Sequence, residues 1–297
     1  MSERKKAFKS VKITFLISAI VIIAVLVAIK VISIKTGEKS TDKTNNQADS
    51  SIDVSEEETE EETAEEETVP VDTTADPKYY ATYETEKYET KNDAGEVGVI
   101  NERNIITLTN AAYPKAASLI QQTLRGTMDA EWNNDLKRAA DDYNNAGGAG
   151  HEVGVTYKVN LEYQNESFVT FSITMTGGYG GVGWTADYIY SFDTKTGERI
   201  TIDTCTDNSK QLISTLVQAT KKVMTDNNYP VQDIRNEGED SLYTQSMSKE
   251  GCFGILEDGI HVKHQKYEIS GGSSGVINVT LDKSTSNSLL KDNYKIK

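Results

Sequence analysis

The sequence predicts an α+β fold: an antiparallel sheet with two main helices packed on it, following an N-terminal transmembrane helix and a disordered acidic stalk. Three observations predict it. Several segments alternate apolar and polar residues with period two, as half-buried strands do. Two segments instead repeat their apolar residues at helical spacing. The first seventy residues fit neither pattern, being one long apolar run and then an acidic, Ser/Thr-rich tract.

The apolar run comes first. Ile13 to Ile29 is interrupted only by Thr14 and Ser18, and Val31 to Ile34 continues it past Lys30. That approaches the roughly 20 residues a helix needs to cross about 30 Å of hydrocarbon. A cleavable signal peptide has a shorter apolar core, about 7–15 residues, and a small-x-small site. No such site follows here, and no Cys lies nearby to carry a lipid. Arg4, Lys5, Lys6, Lys9 and Lys12 precede the run and orient the N-terminus inward. The expected layout is a cytoplasmic tail (1–12), a membrane helix (13–34) and a stalk (35–78). Two adjoining ectodomain units (79–176 and 177–297) follow, the C-terminal one outside the cell. Glu56 to Glu67 is almost wholly Glu and Thr, and such a tract cannot bury enough apolar area to offset its ordering entropy.

Tyr79 to Tyr88 reads either as the end of the stalk or as a first edge strand. Asn104 to Thr109 is strand-like. Pro114 then opens a long helix in which Ala116, Ile120, Leu124, Met128, Trp132, Leu136 and Ala140 recur every fourth residue, up to Gly147-Gly148. Val153 to Tyr163 alternates strictly. Val169, Phe171, Ile173 and Met175 mark a second strand, and Trp184, Ala186, Tyr188, Tyr190 and Phe192 a third. Between those two, the glycine-rich link 176–183 reads as a wide hairpin loop. Asp193 to Gly197 is a turn and Arg199 to Asp203 a return strand. A second helix starts from a cap at Asp207 or Ser209, with Leu212, Ile213, Leu216, Val217, Thr220, Val223 and Met224 on its inner face. Asn227 to Lys249 reads as a polar loop. Glu257-Asp258-Gly259 joins Phe253–Leu256 to Ile260–Ile269, and Val276 to Leu281 is a last strand.

The chemistry is sparse. Gly178-Tyr-Gly180-Gly-Val-Gly183 spells G-x-G-x-x-G, but a strand follows it where a dinucleotide site needs a helix N-terminus. His261 and His264 lie three apart on a strand, hence on opposite faces, and match no zinc signature. No nucleophile elbow is present. No catalytic residue, metal ligand or cofactor is therefore expected. The formal net charge of −15 leaves no footprint for nucleic acid. Cys205 and Cys252 are a candidate disulfide in an oxidising compartment, or two buried thiols.

Two stretches carry a resemblance. One is Tyr179-Gly-Gly-Val-Gly-Trp with the following Tyr190-Ser-Phe-Asp-Thr-Lys-Thr-Gly-Glu-Arg-Ile-Thr-Ile. The other is Phe253-Gly-Ile-Leu-Glu-Asp-Gly-Ile-His-Val-Lys-His-Gln-Lys-Tyr-Glu-Ile. With Thr107-Leu-Thr-Asn-Ala-Ala-Tyr-Pro they resemble the ectodomains of lysozyme-sensing anti-sigma-V factors and their RsiV-like relatives, over about residues 95–290. Val182 stands where that family usually has His. The twelve residues before the apolar run are too few to fold over a sigma factor. The resemblance implies an extracytoplasmic binding or sensor protein of the cell envelope, without enzymatic activity. Its ligand would be a basic protein such as lysozyme or a cell-wall component. The alternatives are a glycan-modifying enzyme and an assembly partner of another membrane protein. Candidate contact residues are Tyr179 and Trp184 in the glycine link and Tyr267, because Tyr and Trp give large contact area at low entropic cost. The rival reading is that Trp184 and Tyr267 point into the core.

Overall fold

The first two strands, β1 (Tyr80–Lys91) and β2 (Val97–Thr109), pair antiparallel from Tyr80↔Thr109 onward, so the Tyr-rich segment is an edge strand. The computed structural model describes residues 75–91, 95, 97–145, 154–179, 182–232 and 238–297. These belong to one compact unit spanning Glu67–Lys297. The expected membrane helix at 13–34, the tail before it, nearly all of the stalk, and His151 lie outside the described residues. Among the described residues no helix is long and apolar enough to cross a membrane.

Helix α1 (Pro114–Asn145) starts where the Asn110 side chain accepts a hydrogen bond from the Tyr113 backbone at 2.8 Å. Its buried stripe runs Ile120, Leu124, Met128, Trp132 and then Asp135, Ala139, Tyr143. The expected Leu136 and Ala140 give way because a step of four residues turns 400°, so a strict four-residue repeat drifts off its face. One step of three restores it. That correction places a carboxylate in the core: Asp135 is 4% exposed. It accepts a short hydrogen bond from the Tyr157 hydroxyl and one from Arg138 at 3.4 Å.

Strands β3 (Thr156–Gln164), β4 (Phe168–Tyr179) and β5 (Val182–Asp193) form an antiparallel meander. The glycine link is not the wide loop expected. Tyr179 pairs with Val182, so only positions 180 and 181 join the strands, the shortest common hairpin connection, and two glycines suit it. The expected unit boundary at 176/177 falls inside β4. The short β6 (Arg199–Ile200) pairs with β5 and is only two residues long, because the chain turns at Thr201.

Helix α2 (Ser209–Asp226) is capped by Asn208, whose side chain accepts from the Gln211 backbone at 3.1 Å. Asn is as good a cap as either expected neighbour. The expected polar loop 227–249 contains a helix, α3 (Glu239–Met247), that buries Tyr243, Ser246 and Met247. With three inward residues in nine, and one of them Ser, its periodicity is weak. Strands β7 (Cys252–Leu256), β8 (Gly259–His264) and β9 (Ile277–Asp282) complete the sheet. β8 stops at His264, five residues short of expectation, because Gln265 to Glu268 form a turn. A short α4 (Lys283–Leu289), capped by Asp282, follows β9.

The sheet runs β1-β2-β3-β4-β5-β7-β8-β9, with β6 on the side of β5. It is mixed rather than antiparallel throughout: β2 pairs parallel with β3, and β5 with β7. Each parallel step needs a crossover, and α1 supplies the first and α2 with α3 the second. Two hydrophobic clusters result. One joins α1 to β2–β5, the other joins α2 and α3 to β7–β9. Tyr190 of the first cluster is the register partner of Phe253 of the second, so the two lie on one face of the sheet, side by side. The β5–β7 seam between them has two register pairs, Ile189↔Cys252 and Tyr190↔Phe253. Beyond these, side chains replace the ladder. The Ile255 backbone N–H donates to Ser191 Oγ at 2.8 Å, and Thr170 Oγ1 donates to the Ile255 carbonyl at 2.6 Å. The two hydroxyls lie 2.7 Å apart.

Candidate binding groove at the seam

Trp184, Ala186, Tyr188 and Tyr190 sit at alternate positions of β5 and therefore share one face. This face is the floor of a groove. α1 forms one wall. The other is built from Lys249 to Cys252 and from the turn Gln265 to Glu268. Two connected clefts make it up. One, about 590 Å³, lies over Tyr188 and Tyr190, between Gln122, Gly126 and Glu131 on α1 and Lys249 and Glu268 opposite. The other, about 410 Å³, lies over Trp184 and Tyr188, between Glu131 and Asp135 on α1 and Lys266 and Tyr267 opposite. Glu131 and Tyr188 line both. Cavities of a few hundred Å³ suit a small ligand or a segment of a longer one.

The far wall is fixed by one side chain. Gln265 Nε2 donates to the Asp187 carbonyl at 2.7 Å, and the Asp187 N–H donates to Gln265 Oε1 at 3.0 Å. The amide thus pairs with β5 as a strand would. Glu268 holds the turn from within, accepting from the Gln265 backbone at 2.9 Å, from Ser246 at 2.6 Å and from Lys249 at 2.7 Å. Burial works to raise the Glu268 pKa, but these bonds outweigh it and keep the carboxyl below its ordinary value. Burial pushes Tyr190 up to about 12. Burial, with nearby Cys252, Glu131, Glu268 and Asp135, raises Tyr188 as well. Both phenols keep their protons at neutral pH.

Tyr267 is the unusual member. Its φ is +70°, a left-handed conformation that costs a side-chain-bearing residue roughly 1–2 kcal/mol. Yet the residue is 61% exposed, so core packing does not repay that cost. The ring rests on Gly272, where an added Cβ would come within 2.2 Å of it, and Lys266 Nζ stands 5.2 Å from its centroid. Trp184 is half-buried. Its indole edge lies on Gly177, its register partner across the hairpin, where a Cβ would sit 2.7 Å from the indole nitrogen.

The structure therefore brings Trp184 and Tyr267 to one cleft. Tyr179 is at the end of β4, and its side chain lies outside the described residues. Cys205 and Cys252 are separate buried thiols rather than a disulfide. Cys205 packs in the α2 cluster and Cys252 faces the groove, and burial pushes both up to about 12, far from a reactive thiolate. Sequence reasoning missed Glu131, Asp135, Lys266 and Glu268. Tyr188 was legible as a member of the Trp184 stripe. Among the described residues no cluster of His, Cys, Asp and Glu is arranged to hold a metal ion.

His264 lies behind the groove wall, fully buried. Its Nδ1 lies 2.7 Å from Ser246 Oγ, and its Nε2 lies 3.2 Å from Thr220 Oγ1. Ser246 already donates to Glu268, so it stands in the middle of a Glu–Ser–His chain. A nucleophilic triad places the histidine there instead.

Neither a family profile nor a curated protein sequence matches this chain. Solved structures resemble it, two of them as follows. One is a DUF3298 family member from Bacteroides fragilis, at 12% identity and a TM-score of 0.48, covering 72% of this chain and 94% of that one. The other is a DUF3298 family protein from Pseudomonas aeruginosa PAO1, at 12% identity and a TM-score of 0.48, covering 73% and 96%.

Proposed function

We propose that this chain is a binding protein of the cell envelope, held at the membrane by residues 13–34, with its ligand in the groove over β5. The ligand is a cell-wall component or a basic, lysozyme-like protein. The observation that carries the reading is Tyr267. A bulky residue held at positive φ, largely exposed and outside both hydrophobic clusters, does nothing for the core. Such outliers cluster where geometry serves a ligand. Its neighbours fit the same use: Trp184 and Tyr188 line the cleft beside it, and the Gln265 amide pairing with Asp187 and the hydrogen bonds accepted by Glu268 set the wall that presents Tyr267.

Replacing Tyr267 by Gly separates the two roles. Glycine relieves the strained φ but adds freedom to the unfolded chain, and these terms offset to within about 1 kcal/mol. The expected result is a thermal midpoint that holds while capture of envelope material or lysozyme falls. A loss of about 2 kcal/mol or more would mean the ring is structural. Topology is tested apart from this. Protease added to intact cells is expected to remove everything beyond the apolar run, and a fully protected chain would rule the envelope location out.

A further inference from the structure

Three ligand chemistries can be weighed against the groove. A strongly cationic ligand needs uncompensated negative charge. The chain carries −15, but most of the groove's carboxylates are already engaged. Asp135 holds Tyr157 and Arg138, Glu268 holds Lys249, and Glu250 pairs with Arg199 at 2.9 Å. A lipid tail would bury Gln122 and the Glu131 carboxylate against hydrocarbon, where an unpaired polar group costs about 1–3 kcal/mol and a charge costs more. The third chemistry matches both surfaces. A sugar ring has a face of C–H bonds that suits the negative face of an aromatic ring, and a rim of hydroxyls that suits carboxylates and amides.

We infer that the groove binds a neutral polysaccharide chain laid along β5, with Trp184 and Tyr188 as ring platforms, Tyr267 closing over one end, and Glu131 accepting hydroxyl hydrogen bonds. This rests on the groove being the ligand site. Trp184 and Tyr188 are four residues apart on one strand face, about 13 Å at strand rise, so the two platforms meet separate, non-adjacent sugars of one chain rather than a single ring. The connected clefts extend along the strand in the same way. Glu131 is the shared wall residue of both. Among the described residues it makes no hydrogen bond or ion pair, which leaves its oxygens for hydroxyls. The tyrosine phenols, held protonated, can donate as well as accept.

The test uses the full-length protein in detergent micelles, titrated with chitohexaose and cellohexaose as neutral glycans and with deca-lysine as the cationic probe. Of the two tryptophans, Trp132 is 4% exposed, so Trp184 reports binding by fluorescence. At least one hexaose is expected to bind saturably and to stay bound in about 0.5 M salt, where exposed charge pairs are screened. Tyr188→Ala is expected to weaken it about 10-fold, as loss of a stacking face does. Glu131→Gln, on an exposed helix position that leaves folding intact, is expected to weaken it about 3- to 10-fold. Calorimetry then follows Trp184→Phe, which silences the optical signal. Deca-lysine binding that Glu131→Gln abolishes, with no hexaose bound, would overturn the glycan and leave the groove as a site. A hexaose bound with unchanged affinity by Tyr188→Ala and Glu131→Gln would overturn the groove itself. No binding of either hexaose would overturn the inference.

Discussion

Acidifying the protein from pH 7 to pH 4 is expected to remove about 3 kcal/mol of stability through His264 alone. Burial holds this histidine neutral and pushes its pKa down to about 4, against an ordinary value of 6.5, and the Glu268 charge recovers only part of that. The sign follows from which state binds the proton. Between pH 6.5 and 4 the unfolded chain protonates its histidine and the folded chain does not, so unfolding takes up a proton and stability falls with pH. The contribution is whole above about 6.5 and gone below about 4. The pKa difference converts to about 3 kcal/mol. The groups facing the ring are Thr220 from α2, Ser246 and Tyr243 from α3, and Glu268 from the groove wall. Glu268 acts in the same direction: its pKa is below normal, so its contribution is present above the unfolded value and is lost as pH falls through the folded one. Urea denaturation at successive pH values measures the effect. His264→Gln keeps hydrogen-bonding capacity without the titration, and its stability should vary much less between pH 6.5 and 4. An equal slope in the variant would place the acid sensitivity elsewhere.

The second large effect is expected at the seam. Ser191→Ala removes the acceptor for the Ile255 N–H and the hydroxyl beside Thr170, both fully buried. Leaving a buried donor unpaired costs about 1–3 kcal/mol. Losing the contact with Thr170 adds to that, so about 2–4 kcal/mol is expected from urea midpoints. Thr170→Val strands the Ile255 carbonyl in the same way. Because both hydroxyls serve one residue, the double variant should cost clearly less than the two single costs together. Strict additivity would show that the hydroxyls act independently and do not extend the β5–β7 ladder.

Most of the sheet was legible because its strands alternate cleanly. Val169, Phe171, Ile173 and Met175 could be placed on one face without any coordinates, and they all lie in the α1 cluster. What was hidden has physical causes. Helix α3 buries a Ser where a pattern search looks for an apolar residue, and that Ser is there to bond Glu268 and His264. Asp135 is buried because the α1 stripe changes step, which a strict repeat of four cannot show. The parallel pairings were invisible, since alternation gives a strand's faces and not its neighbours. The groove was half legible. Trp184 and Tyr267 could each be named as candidates from the sequence, but their sharing one cleft depends on Gln265 bonding to Asp187, 78 residues away. Nothing local marks Tyr267 as left-handed, because the residues that signal such a position are Gly and Asn.

The seam also has a mechanical meaning. Nearly all backbone pairing runs within either half, and the halves are joined edge to edge by two register pairs, two hydroxyls and the Gln265–Asp187 pairing. Such a junction has a shorter ladder than the antiparallel pairings on either side of it. The groove lies across it: Tyr188 and Tyr190 on one bank, Cys252 and Glu268 on the other. A small tilt about this line changes the distance between the banks while leaving both hydrophobic clusters intact. Amide exchange at Ile255 therefore gauges the width of the groove, and should slow when the groove is filled and quicken in Ser191→Ala.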